Sequence, residues 1–113
     1  GADVDATNEE GYTALMAASR EGHRDVVEQL LRAGTQVEAT NKTGCTALPL
    51  ASVRGHRDVV EHLLRAGAQV DAANEDGSTA LMGASQAGHR DVVEQLLRAG
   101  AQVDAANEDG STA

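Results

Sequence analysis

The sequence predicts an all-α solenoid of stacked helix-turn-helix units, and three observations carry that prediction. GHRDVVEQLLRAG at 22–34 returns as GHRDVVEHLLRAG at 55–67 and GHRDVVEQLLRAG at 88–100, a period of 33 residues. The other half repeats in the same register, as GYTALMAAS at 11–19, GCTALPLAS at 44–52 and GSTALMGAS at 77–85. Neither half can bury its apolar stripe alone, so neighbouring units must stack. With no Trp, no Phe and Tyr12 as the one aromatic, the core is built from Leu, Val, Ala and Met in closely spaced layers.

The 113 residues therefore read as one array, with units 1–33, 34–66 and 67–99 and a truncated fourth copy at 100–113, without capping repeats. Thr13 is an N-cap for a short helix over about 14–21, which Gly22 stops. Thr46 and Thr79 open the equivalents before Gly55 and Gly88. Pro49 falls at the third helical position, where no ladder bond is lost because first-turn N–H groups are unpaired anyway. It still removes one of the two usual targets of the Thr46 hydroxyl and pushes Leu48 away from helical dihedrals. The middle unit's first helix is expected to be the least regular. A second helix runs over about 24–33, with Val26, Val27, Leu30 and Leu31 on one stripe and Gly34 as its left-handed stop. Glu28 and Arg32, Glu61 and Arg65, and Glu94 and Arg98 are spaced for surface ion pairs on that helix. The stretches 34–45, 67–78 and 100–111 hold one Val each and a Gly, which suits a hairpin-like turn.

A unit of turn, helix, Gly-His, helix and Gly-Ala resembles the ankyrin repeat family, from Gly1 to Ala113. The family's Gly-x-Thr-Pro-Leu-His-x-Ala-Ala opening is matched at Gly11, Thr13, Leu15 and Ala18, at Gly44, Thr46, Leu48 and Ala51, and at Gly77, Thr79, Leu81 and Ala84. Its Gly-His, Val-Val and Leu-Leu landmarks are Gly22-His23, Val26-Val27 and Leu30-Leu31 with their counterparts. Ala14, Ala47 and Ala80 replace its Pro, and Met16, Pro49 and Met82 replace its His, so the Thr-to-His side-chain bond that the resemblance implies cannot form. The resemblance implies a non-enzymatic scaffold that binds other proteins through a concave groove lined by turn tips and first helices.

Charge and composition narrow the partners. Nine Lys and Arg against eighteen Asp and Glu give a net charge of -9, which disfavours DNA, RNA and anionic membranes. Segments 1–12, 34–45, 67–78 and 100–113 carry -4, 0, -3 and -3, whereas the helical segments are near neutral, so the excess sits on the turns. Acidic tips interrupted at Lys42 should steer a protein with a basic or mixed surface. One cysteine forms no internal disulfide, which places the chain in a reduced compartment, the cytoplasm or the nucleus. No signal peptide or membrane span is expected.

Motifs of chemistry do not survive inspection. His23-Arg24-Asp25 spells a kinase catalytic-loop tripeptide, but it recurs with the repeat and lacks every companion motif. Those histidines instead are expected to cap and orient the turn between helices, and they lie too far apart to share zinc. His62 reads as a surface histidine and Cys45 as a surface thiol. Carboxylate pairs such as Glu9-Glu10 and Glu75-Asp76 lack the spacing of a calcium loop. No cofactor, metal or catalytic residue is assigned.

Differences between units are more informative. Units one and three differ at seven of 33 positions, and helix two is nearly constant. The substitutions gather on the tips, at Glu9/Lys42/Glu75, Glu10/Thr43/Asp76 and Tyr12/Cys45/Ser78, and at the end of the first helix, at Arg20/Val53/Gln86 and Glu21/Arg54/Ala87. Stacking positions must repeat and partner-facing ones need not, so these fifteen are the candidate partner-binding residues. The near-identity of units also fits an alternative, an engineered or consensus structural array with no natural ligand. At the ends, Val92, Leu96 and Leu97 are expected to lie exposed and to meet Leu15, Val26 and Leu30 of another molecule in head-to-tail self-stacking.

Overall fold

A computed structural model describes residues 4–101, which contain six helices and no strand. They alternate as α1 (Ala14–Glu21), α2 (Arg24–Arg32), α3 (Ala47–Val53), α4 (Arg57–Arg65), α5 (Ala80–Ala87) and α6 (Arg90–Arg98). First helices α1, α3 and α5 pack side by side in one layer, and second helices α2, α4 and α6 form the other. The core between and within them is Leu15, Met16, Val27, Leu48, Val59, Val60, Leu63, Val92 and Leu96 with interleaved alanines. The fourth copy at 100–113 lies outside the described residues except for Gly100 and Ala101.

Helix starts follow the threonines, with one exception. Thr13 Oγ1 accepts from Met16 N at 3.2 Å and Thr79 Oγ1 from Met82 N at 3.3 Å. Thr46 makes no such bond, because the equivalent amide belongs to Pro49, which has no N–H; its hydroxyl is buried without a partner among the described residues. Helix α3 still starts in the register of α1 and α5, at Ala47 against Ala14 and Ala80, and its seven residues against their eight come from ending one residue earlier, at Val53. Leu48 nevertheless remains helical, contrary to the expectation from the following proline. Its side chain is fully buried, and that burial offsets the local preference.

The histidines do not cap their own helices; none of His23, His56 and His89 makes a side-chain cap bond. Instead His56 Nε2 donates to the carbonyl of Arg20 at 2.8 Å and His89 Nε2 to that of Val53 at 3.0 Å, so each ring ties its unit to the last turn of the preceding first helix. The carbonyl only accepts, which fixes the proton on Nε2. The ring lies over the glycine that ends that helix: a Cβ on Gly22 would meet His56 Nδ1 at 2.6 Å. Gly22 also has φ +79, so both backbone sign and space demand glycine.

The apolar stripe of each second helix has two edges. Val59, Leu63, Val92 and Leu96 are buried, whereas their unit-one counterpart Val26 is 44% exposed and Leu30 half-buried. That edge faces the preceding unit. The opposite edge, Leu31, Leu64 and Leu97, is half-buried in units one and two and 41% exposed in unit three. The exposed stripe expected at Val92, Leu96 and Leu97 is therefore corrected to Leu97 alone, since Val92 and Leu96 turn toward unit two; Leu15 at the other end is also buried. Val26 and Leu97 are the large apolar residues exposed toward the two ends of the described array. Of the three spaced ion pairs, Glu28–Arg32 (3.7 Å) and Glu61–Arg65 (2.6 Å) form, while Glu94 and Arg98 are not within 4.0 Å.

Candidate functional site

An asparagine builds each turn tip. Asn8 Oδ1 accepts from the N–H groups of Glu10 (2.9 Å) and Tyr12 (3.0 Å), while Asn8 N donates to Tyr12 O and Gly11 N to Asn8 O. Asn41 does the same for Thr43 and Cys45, and Asn74 for Asp76 and Ser78. Five residues are thereby closed into a hairpin-like turn without a ladder. Adjacent tips are bonded in register, Lys42 N to Glu10 O (3.2 Å) and Glu75 N to Thr43 O (3.1 Å).

A second clamp lies at the base of the turns. Asp5 Oδ1 accepts from Thr35 Oγ1 (2.8 Å) and Gln36 N (2.9 Å), and the longer Glu38 reaches Gln69 N (3.0 Å) one unit on. The Gln36 amide and then the Thr35 hydroxyl hold the Asp5 carboxyl below the usual carboxylate range. Neither clamp was assigned a role from the sequence. Its signal was there: Asn-x-x-Gly recurs at 8–11, 41–44 and 74–77, and an acidic residue at 5, 38 and 71.

On this frame the fifteen candidate residues fall into two groups. Glu9, Glu10, Tyr12, Lys42 and Thr43, with Asn41, line a shallow cleft of about 280 Å³ between the first two tips. The Arg20 guanidinium sits 5.0 Å from the centroid of the Tyr12 ring, and Arg20 Nε donates to Glu21 Oε2 at 3.2 Å. Glu21 first and Tyr12 second raise the Arg20 pKa above its ordinary value. Cys45 is half-buried, its sulfur accepting from Thr43 Oγ1 (3.6 Å) and Asn74 Nδ2 (3.5 Å). The remaining residues share register rather than a pocket. Val53 is 41% exposed and Arg54 follows it at the end of α3; Glu75, Asp76 and Ser78 are exposed on the third tip, and Gln86 and Ala87 at the end of α5.

Charge pairing separates the two sides of the molecule. Apart from Arg20–Glu21, every Arg–carboxylate ion pair among the described residues lies along the second helices: Arg24–Asp25, Arg24–Asp58, Arg32–Glu28, Arg57–Asp91 and Arg65–Glu61. Glu9, Glu10, Lys42, Arg54, Glu75 and Asp76 are in none of them. Among the described residues no group of three or more His, Cys, Asp or Glu is placed to hold a metal, and no helix is long and apolar enough to cross a membrane.

The paired helices, the register of the tips and the repeat period meet in one comparison: the family described as ankyrin repeats (3 copies) matches residues 1–74 and again 37–107. The chain belongs to the ankyrin-repeat family. Ankyrin repeats are in general protein–protein interaction modules and typically non-enzymatic. No curated protein matches the chain. Within this ankyrin array the Thr-to-His bond of the family pattern is absent by sequence, and Thr13 and Thr79 spend their hydroxyls on the amides of Met16 and Met82 instead. Among the ties between units that are present are the His56 and His89 rings, the tip-to-tip amides and the Asp5 and Glu38 clamps.

Proposed function

We propose that this chain is a non-enzymatic protein-binding module of a reduced compartment, the cytoplasm or nucleus. Its partner seats on the tips and first-helix ends at Glu9, Glu10, Tyr12, Arg20, Glu21, Lys42, Thr43, Cys45, Val53, Arg54, Glu75, Asp76, Ser78, Gln86 and Ala87. One observation carries the reading: charges along the second helices are largely paired with one another, whereas six charged side chains on the tip side are left open. Open charges on a rigid, bonded frame keep their field for a partner and need no rearrangement to meet it. The acidic excess favours a protein with a basic or mixed surface.

Affinity capture from cell lysate tests this, comparing the chain with one whose tip residues Glu9, Glu10, Glu75 and Asp76 are changed to Ser. The reading expects proteins retained by the first and lost from the second. The same proteins on both baits would move the interface elsewhere. Near-identity of units one and three favours a second reading, a structural array without a ligand, whose outcome is specific retention by neither.

A further inference from the structure

The open charges of the tip side are not of one sign. Unit one offers Glu9 and Glu10, unit two offers Lys42 on its tip and Arg54 at the end of α3, and unit three offers Glu75 and Asp76. Although the tips adjoin, none of these six side chains is ion-paired among the described residues. The amide bonds from Lys42 to Glu10 and from Glu75 to Thr43 hold the tips in register, so the order minus, plus, minus is fixed along the array. Packed helices lie about 8–10 Å apart, which sets the step from one unit to the next. A polyproline-II segment rises about 3.1 Å per residue with three residues per turn, so side chains three apart point the same way and span one step. The cleft between the first two tips, about 280 Å³, admits a side chain. A whole helix, about 10 Å across, would bridge it without entering. Beside the row, exposed Val53 offers an apolar footing in the middle unit.

We infer that the occupant of this face is a peptide segment of the partner in the extended polyproline-II conformation, carrying a basic, an acidic and a basic side chain at three-residue intervals. The acidic residue meets Lys42, and the basic ones meet Glu9 with Glu10 and Glu75 with Asp76. The inference rests on the tip-side reading above and adds to it the order of charges. Lys42 is the residue that sets this order, because units one and three carry Glu at the same position.

Two peptides of identical composition test it by fluorescence anisotropy: Arg-Ser-Val-Glu-Ser-Val-Arg and its isomer Arg-Ser-Val-Arg-Ser-Val-Glu. They share net charge, so overall attraction to an acidic protein cancels. At low salt the first should bind about three- to tenfold more tightly, the range expected from a few exposed charge contacts, and the gap should shrink in about 0.5 M NaCl. Lys42→Glu, which installs the residue already accepted by units one and three, should abolish the preference while leaving the urea midpoint nearly unchanged. Equal affinities, a preference that survives Lys42→Glu, or binding of neither peptide would overturn the charge order. So would tighter binding of a helical peptide with the same charges seven residues apart. If the isomers bind equally while Tyr12→Ala and Val53→Ser weaken both, the tip-side reading stands and only the order falls. If those two variants change nothing, the surface itself is wrong.

Discussion

Changing Thr46 to Val should have opposite effects on stability depending on what occupies position 49. In the chain as it stands, Thr46 is 5% exposed and its hydroxyl has no partner among the described residues, because Pro49 lacks the N–H that Met16 and Met82 give to Thr13 and Thr79. An unsatisfied buried hydroxyl costs about 1–3 kcal/mol, and Val keeps the shape of Thr, so Thr46→Val should stabilise by about 1 kcal/mol. Pro49→Met restores the amide. A threonine N-cap is worth about 1 kcal/mol, and satisfying the hydroxyl adds to this, while losing proline's restraint on the unfolded chain costs about 0.4–1 kcal/mol. The net expectation for Pro49→Met is a gain of about 0.5–1 kcal/mol. In that background Thr46→Val removes a working cap and should destabilise by about 1 kcal/mol, which makes the coupling between the two sites about 2 kcal/mol. Urea unfolding of the four proteins measures it, with unchanged slopes securing the comparison. The same sign for Thr46→Val in both backgrounds would refute the account of how α3 starts.

Other expectations concern the ties between units. Gly22 and Gly88 have the same φ of +79, but only Gly22 lies under a histidine ring. Gly88→Ala should cost about 1–2 kcal/mol from backbone strain alone, and Gly22→Ala about 1 kcal/mol more in urea as the His56 bond to Arg20 O is displaced. Because the folded-state pKa of Asp5 is lowered by Gln36 and Thr35, its contribution is present above the ordinary carboxylate range and lost as pH falls through the depressed value. Asp5→Asn should therefore lower stability at neutral pH and flatten the acid limb of stability against pH. Buried Ser52 donates to Leu48 O at 2.8 Å, whereas the hydroxyl of buried Ser19 has no partner among the described residues. Thermal unfolding should show Ser19→Ala stabilising and Ser52→Ala destabilising, each by about 1 kcal/mol.

The helices were legible because a 33-residue period and a helical apolar stripe point to the same boundaries, and α1 was expected at the residues it occupies. The weak start of α3 was legible as well, since the chemistry of Pro49 is local. What the sequence hid was anything decided by position in the stack. Val26 and Val92 stand in identical local sequences, yet one is 44% exposed and the other 1%, because among the described residues only the second has a preceding unit to cover it. The histidines were misread for the same reason: their partner is a carbonyl about one repeat away, and no local spacing reports it. Asn8, Asn41 and Asn74 repeat without variation, so a comparison built on differences passed over the residues that hold the varying tips in place.

The central claim is that recognition belongs to the tips and first-helix ends and not to the second helices. Isothermal calorimetry with a partner recovered by affinity capture tests it on three single variants. Tyr12→Ala and Arg20→Ala, which dismantle the cation–ring contact beside the first cleft, should each weaken binding by about 1–2 kcal/mol. Gln29→Ala, on the exposed side of α2, should leave affinity unchanged. Equal losses at all three positions, or a loss at Gln29 alone, would contradict the account.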